Sequence, residues 1–213
     1  MRLNLSADEV LTTTRSVRKR LDFDKPVPRE VLMECLDIAL QAPTGSNAQG
    51  WQWVFVEDPA KKKALADIYR ATGTGYLDLP KPIRGDIRDQ QMDAVVDSAK
   101  YLNQNMEKAP VMMIPLLEGR PEGADAGMQA SFWGSLLPAV WSFMLALRER
   151  GIGTAWTTLH LIGDGEKKAA DLLGIPFQHY TQGGLFPIAY TKGTDFKLAK
   201  RLPAEQLTHW DSW

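Results

Sequence analysis

The sequence predicts a single α+β domain, and three observations carry that expectation. Four short segments, residues 51–56, 110–117, 152–159 and 185–191, have the apolar, aromatic or β-branched character of strands. Between them lie segments with helical periodicity and recognisable start and stop signals. One of these, residues 128–147, carries no charge over its whole length and must be covered on most sides. A chain of 213 residues forms one domain that buries roughly 70% of its unfolded surface.

Taken in order, Ser6-Ala-Asp-Glu9 is a capping box, so a helix is expected from Ala7 to about Thr14. Pro26-Val-Pro28 leads into a helix over residues 29–41, whose apolar face includes Val31, Leu32, Cys35, Leu36, Ala39 and Leu40. Pro43 stops it, and Trp51 to Val56 follows as an aromatic strand. Residues 59–70 read as a helix with three lysines opposite its apolar side. Residues 71–89 contain glycine and proline and read as a long connection of the kind that forms lids. A helix is expected over 90–108, a strand apolar on both faces over 110–117 and a helix over 128–150 stopped by Gly151. The remaining segments are a strand over 152–159, a helix over 165–173 ended by Gly174, and a strand over 185–191. The tail, residues 192–213, is basic and then ends in Leu-Thr-His-Trp-Asp-Ser-Trp, whose tryptophans need a surface to cover them.

Residues 128–147 are long enough to span a bilayer. They include Gln129, Ser131, Ser135, Ser142 and Pro138 and stand alone in mid-chain, which favours a buried core helix or an oligomer interface. Composition is that of a soluble globular protein, with 44% apolar and 24% charged residues. The net charge of −1 argues against a general nucleic-acid binder. A lone cysteine, Cys35, excludes an intrachain disulfide and a cysteine-based metal cluster. Met-Arg-Leu-Asn-Leu-Ser lacks the apolar core of a signal peptide, so a cytoplasmic location is expected.

The chain is organised around residues 41–56. Pro43-Thr-Gly-Ser-Asn47 offers backbone N–H groups, two hydroxyls and an amide in little space. By itself it is either an ordinary helix-to-strand turn or the rim of a site for a flat, polar-edged ligand. Arg15-Ser-Val-Arg-Lys-Arg20 holds four cations in six residues and is a solvated basic loop, a nuclear signal or an anion site; Ser16 between Arg15 and Arg18 favours the last. Gly73-Thr-Gly75 and Gly151-Ile-Gly153 lack a third glycine at the dinucleotide-binding spacing. His160, His179 and His209 form no two-ligand metal motif, and no nucleophile elbow or P-loop is present. Any reaction is then expected to belong to a bound cofactor.

Four stretches resemble the flavin-dependent nitroreductase family. They are Arg15-Ser-Val-Arg18, Ala42 to Trp51, Gly151 to Leu159, and Lys200-Arg-Leu-Pro203 with His209-Trp210, in that order along the chain. The resemblance implies a mixed, mostly antiparallel sheet flanked by helices, an intertwined homodimer, FMN as cofactor and NAD(P)H as donor. It implies that Arg15, Ser16 and Arg201, helped by Lys200, hold the phosphate, with Val17 in the same motif, and that Arg18 meets the O2/N1 edge of the flavin. Pro43, Thr44, Gly45, Ser46 and Asn47 come from the other subunit. Trp156, Thr157, Thr158 and Leu159 pass the N5/O4 edge, and Asn103 or Asn105 is a candidate for the pyrimidine edge. The activity implied is ping-pong reduction of nitroaromatic or quinone-like acceptors with no side-chain acid or base. Flavin cleavage, reductive dehalogenation and non-turnover flavin sequestration are the alternatives, and the tail is expected to pack on the partner.

Overall fold

The computed structural model describes residues 2–213. Its centre is β3 (Val111–Glu118), an apolar strand on which every residue but the last is buried. Successive side chains of a strand point to opposite faces. Val111, Met113 and Leu117 accordingly join one core, and Met112, Ile114 and Leu116 the other. Helices must therefore cover both faces, and they do.

Antiparallel pairing builds the sheet outward from β3. On one side is β2 (Trp51–Val56), with Trp51 opposite Leu117. On the other is β6 (Phe186–Thr191), with Val111 opposite Ile188. Three short strands complete it: β1 (Leu21–Asp22) and β4 (Ile152–Thr154) pair with β6, and β5 (Tyr180–Gln182) pairs with β3. A single parallel bridge, Ser16 to Thr154, makes the sheet mixed, as expected.

The first core is closed by α2 (Arg29–Ala39) and α5 (Ala126–Glu149). On α5, Leu136, Ala139, Val140, Phe143, Met144 and Leu147 recur at helical spacing and are buried. Phe143 lies between Trp53 and Phe55 at 5.9 and 6.0 Å between ring centres. By length and hydropathy α5 alone among the described helices suits a membrane, but 44% of its most apolar window is buried against α2 and the sheet. The exposed part includes Met128 and Trp141.

The second core is closed by α3 (Pro59–Asp78), α4 (Asp89–Asn105) and α6 (Gly165–Leu173). The short α1 (Ala7–Thr13) forms with the predicted capping box, in which Ser6 N–H donates to Glu9 Oε2 at 2.7 Å. Cys35 is buried, and burial pushes its thiol up to about 11, in keeping with a packing role.

Three expectations need correction. The helix expected over 59–70 continues to Asp78 through most of the anticipated lid, because Thr72 Oγ1 donates to Leu159 O at 2.6 Å and Asn103 Nδ2 to Thr74 Oγ1 at 3.1 Å. Those contacts hold residues 71–75 helical despite their two glycines; the open connection is only 79–88. Lys62 is also not on the solvent side. It is buried, with Nζ donating to Ala109 O at 2.7 Å and Pro110 O at 3.0 Å. Lastly, the strand expected over 152–159 ends at Thr154, after which the chain leaves the sheet.

Candidate functional site

The departure at Thr154 creates the site. Residues 15–18 lie beside β4, with Val17 N–H donating to Thr154 O at 2.8 Å. Gly153 permits that approach: a Cβ there would stand 2.7 Å from Thr191 Cγ2 and 3.0 Å from Val17 Cβ. Beyond Thr154, the Trp156 indole donates to Gly183 O at 3.0 Å, its ring 5.3 Å from that of Phe186. Thr157 bridges to Leu185, and a tight turn, Leu159–Leu161, leads toward α6.

This segment, Arg18, and the facing parts of α3 and α4 enclose a cavity of about 410 Å³. Arg18, Tyr69, Tyr76 and Trp156 give it an aromatic wall with a cation set into it. Arg18 is half-buried, and its guanidinium reaches only the neutral Ser98 hydroxyl, at 3.3 Å. Burial lowers its pKa, with Tyr69 acting in the opposite sense. A cation held away from water without a carboxylate is electrostatically unbalanced and favours an anionic or electron-rich ligand.

A second cationic cluster lies at the N-terminal end of the same segment. Arg15, Arg20 and Arg148 converge on the ring of Phe196, at 5.9, 4.2 and 4.9 Å from its centre. Arg201 stands close enough to Arg15 that its charge, after burial, lowers the Arg15 pKa, and Arg20 adds to the effect. Arg148 is buried. Its Nε donates to Thr13 Oγ1 at 3.1 Å and its Nη2 to Thr194 O at 3.0 Å, while Nη1 has no partner among the described residues. Asp195 pairs with Arg20 at 2.6 Å. Such a gathering of guanidiniums suits a multiply charged anion.

The loop at residues 43–49 lies elsewhere. Gly45 N–H donates to Ser135 Oγ on α5 at 2.9 Å, and Thr44, Gly45 and Ser46 line a separate cavity of about 470 Å³. Ser46, Asn47 and Gln49 take positive φ of 52°, 53° and 49°. Left-handed backbone at three non-glycine residues is strained and concentrates at ligand-binding loops.

The model of the nitroreductase family matches residues 11–190. This chain belongs to that family. The NADH dehydrogenase of Thermus thermophilus is 26% identical to it over 220 residues, covering 97% of this chain and 96% of the relative. The FMN and NADPH-dependent nitroreductase NfnB from Sphigopyxis sp. strain HMH superimposes with a TM-score of 0.69 at 21% identity, covering 98% of this chain and 100% of that one. An iodotyrosine deiodinase bound to FMN and 3-iodo-L-tyrosine gives 0.69 at 22% identity, covering 95% and 98%. At these identities the two structures show the common fold. The nitroreductase-like sheet with flanking helices is thereby shown, and the chain is an oxidoreductase of the family.

Within this nitroreductase-family chain the predicted residues separate into groups. Arg15, Ser16, Arg18 and Trp156 to Leu159 gather along one edge, with Arg201 near Arg15. Pro43 to Asn47 do not line that cavity, and Thr44, Gly45 and Ser46 line the other one. Lys200 is exposed, and its carbonyl accepts from Gln91 Nε2 at 3.5 Å.

Some anticipated roles change. Val17 is a core residue: its side chain is buried and its N–H is taken by Thr154. Thr157 gives its N–H to Leu185 O at 3.2 Å and accepts from Leu185 N at 2.8 Å, whereas the N–H groups of Trp156, Thr158 and Leu159 meet no backbone acceptor among the described residues. Asn105 bonds Tyr101 O and Lys108 Nζ, both at 2.8 Å, and is unsuited to a flavin edge. Asn103 is buried; its amide nitrogen donates to Thr74 Oγ1, and its Oδ1 has no partner among the described residues. Sequence reasoning missed Arg148 and Phe196. The one signal for Arg148 was its place as the first charge after the uncharged stretch 128–147.

Proposed function

We propose that this chain is a cytoplasmic, homodimeric, FMN-dependent NAD(P)H oxidoreductase of nitroaromatic or quinone-like acceptors. The observation that carries the reading is the unpaired, half-buried Arg18 guanidinium, sharing a cavity with Trp156 and the free N–H groups of Thr158 and Leu159. The residues fit FMN by charge and donor set: Arg18 for the electron-rich pyrimidine edge, amides for N5/O4, and Arg15, Ser16 and Arg201 with Arg148 for the phosphate. When bound, FMN supplies the hydride-accepting N5 that couples NAD(P)H oxidation to acceptor reduction. The protein's own residues anchor, orient and tune charge. The relatives named NADH dehydrogenase and FMN and NADPH-dependent nitroreductase support the donor assignment. One open face serves donor and acceptor in turn, which gives ping-pong kinetics.

A homodimer follows from unmet burial. Leu198, Leu207, Trp210 and Trp213 are 70%, 64%, 84% and 101% exposed along a tail with little regular structure, and Met128 and Trp141 are exposed on α5. Packing the tail on a second copy covers these groups and brings that copy's residues 43–47 toward the cavity. The purified protein is expected to be yellow, to release FMN and not FAD on denaturation, and to run as a dimer in light scattering. A colourless protein that takes up no added FMN would end the reading, and a stable FMN-bound monomer would end the dimer.

Arg18 also makes a graded prediction. A hydrogen bond to a charged group contributes roughly 1.5–3 kcal/mol, part of which acts on both redox states. For a two-electron couple about 1.4 kcal/mol corresponds to roughly 30 mV. Arg18→Ala is therefore expected to lower the midpoint potential of bound FMN by about 30 mV, read by spectroelectrochemistry. An unchanged potential with FMN still bound would show that this arginine does not meet the ring.

The deiodinase likeness keeps reductive dehalogenation as a second reading. Steady-state NAD(P)H oxidation with a nitroaromatic, a quinone and 3-iodo-L-tyrosine separates the two, and lack of turnover with all three would favour a sequestering protein.

A further inference from the structure

Resting on the flavin reading above, we infer that the acceptor is an aromatic compound bearing an anionic substituent, a carboxylate, held by Lys81 and Arg84. Both residues line the same cavity as Arg18 and Trp156, at the end formed by the 79–88 connection. That cavity is lined by three cations, Arg18, Lys81 and Arg84, and by no carboxylate. Its remaining wall is aromatic and aliphatic, including Tyr76, Met92 and Val96, which suits a flat ring.

Neighbouring charges show why these two cations are available. Asp78 pairs with Lys100 at 2.6 Å and Asp86 with Arg88 at 2.5 Å, and Asp97 pairs with Lys19. Asp89 accepts the backbone N–H groups of Arg84 and Gly85, at 3.0 and 2.7 Å. Asp93 lines an adjoining groove that Lys81 also borders, and does not line this cavity. Lys81 Nζ instead donates to Tyr76 O at 2.9 Å and lies 4.7 Å from the Tyr76 ring centre. Among the described residues, Lys81 and Arg84 each lack an ion pair: Asp78, Asp86 and Asp97 are paired with other cations, and Asp89 is taken by backbone N–H groups. Arg18 is assigned to the flavin, so the two outer cations remain for the second ligand. A carboxylate on a ring lying along the Tyr76 and Trp156 wall meets them with charge-assisted hydrogen bonds.

The test compares 4-nitrobenzoate with the uncharged, near-isosteric 4-nitrobenzamide on the FMN-loaded dimer. Dissociation constants come from calorimetry with the oxidised protein, and kcat/KM from NADH- and NADPH-driven reduction. Wild type is expected to prefer the carboxylate by about tenfold or more, in line with roughly one charge-assisted hydrogen bond. The preference should shrink as salt rises. In Lys81→Met/Arg84→Met it should fall to within about twofold of unity, in binding as well as in turnover. Equal affinity for the two compounds in wild type, or a preference that survives the double substitution, overturns the inference. So does a double variant whose defect is confined to the KM for NADPH, which would assign the two cations to the donor's phosphate. A protein that takes up no FMN overturns the flavin reading and this inference together. One that takes up FMN without carboxylate preference overturns the inference alone.

Discussion

Arg15→Ala is expected to raise the dissociation constant for FMN about tenfold to a hundredfold while leaving the potential of the bound flavin nearly unchanged. Arg15 is held in place by its own chain, donating to Lys197 O and, from Nε, to Thr13 O at 3.4 Å. Burial lowers its pKa, and the charges of neighbouring Arg201 and Arg20 lower it further. In the absence of an anion these guanidiniums repel one another, and a phosphate dianion relieves the repulsion. One charge-assisted hydrogen bond contributes roughly 1.5–3 kcal/mol, and about 1.4 kcal/mol is a factor of ten in affinity. Arg18→Ala should show the opposite pattern, a shifted potential with modestly weakened binding. Flavin fluorescence titration of both variants separates anchoring from tuning. Undiminished affinity in Arg15→Ala would place the phosphate elsewhere.

The largest effect on stability is expected from Gly165→Ala. A Cβ on Gly165 would stand 2.1 Å from His160 O and 3.1 Å from its carbonyl carbon. Both are backbone atoms, so no side chain can swing aside. The start of α6 and the turn Leu159–Leu161 would have to separate. That turn is anchored by His160, which is fully buried with Nε2 3.1 Å from Gln182 Oε1, and whose pKa burial lowers to about 4. Gln182 Nε2 in turn donates to Glu166 O at 2.8 Å. Overpacking a rigid site costs roughly 1–3 kcal/mol, occasionally more. For a chain of this size a loss of about 3 kcal/mol lowers Tm by roughly 6–12 °C. FMN affinity should fall as well, since Thr158 and Leu159 move with the turn. Thermal unfolding monitored by circular dichroism is the measurement, and a Tm within about a degree of wild type would show that the turn relaxes freely.

Much of the candidate site was legible in the chain. The basic stretch at Arg15 and Arg18, the turn-rich loop at 43–47 and the 156–159 segment were each visible as local composition, and the structure gathers the first and third along one edge. The separation of residues 43–47 from that edge was implied only by resemblance. What no local pattern disclosed was availability. Thr157 was expected to face the flavin, yet its backbone is spent on Leu185, while Asn103 gives its amide nitrogen to Thr74 and keeps a buried, unpartnered Oδ1 among the described residues. Whether a polar group is free depends on what the fold places beside it.

By itself the sequence determined the elements whose signals are local: the capping box before α1, the glycine stop after α6, the aromatic β2, the two-faced apolar β3, and an α5 whose uncharged stretch 128–147 had to be covered. The tertiary structure alone decided the rest. Strands β1 and β5, of two and three residues, exist because β6 and β3 offer them edges to pair with. Helix α3 runs on to Asp78 because Leu159 and Asn103 hold its last turns, and Lys62 is buried because two carbonyls beyond the end of α4 accept its hydrogen bonds. Arg148 belongs to the cationic cluster because Phe196, 48 positions later, returns beneath its guanidinium. Each of these depends on a partner remote in sequence, and short-range periodicity and propensity carry no information about such a partner.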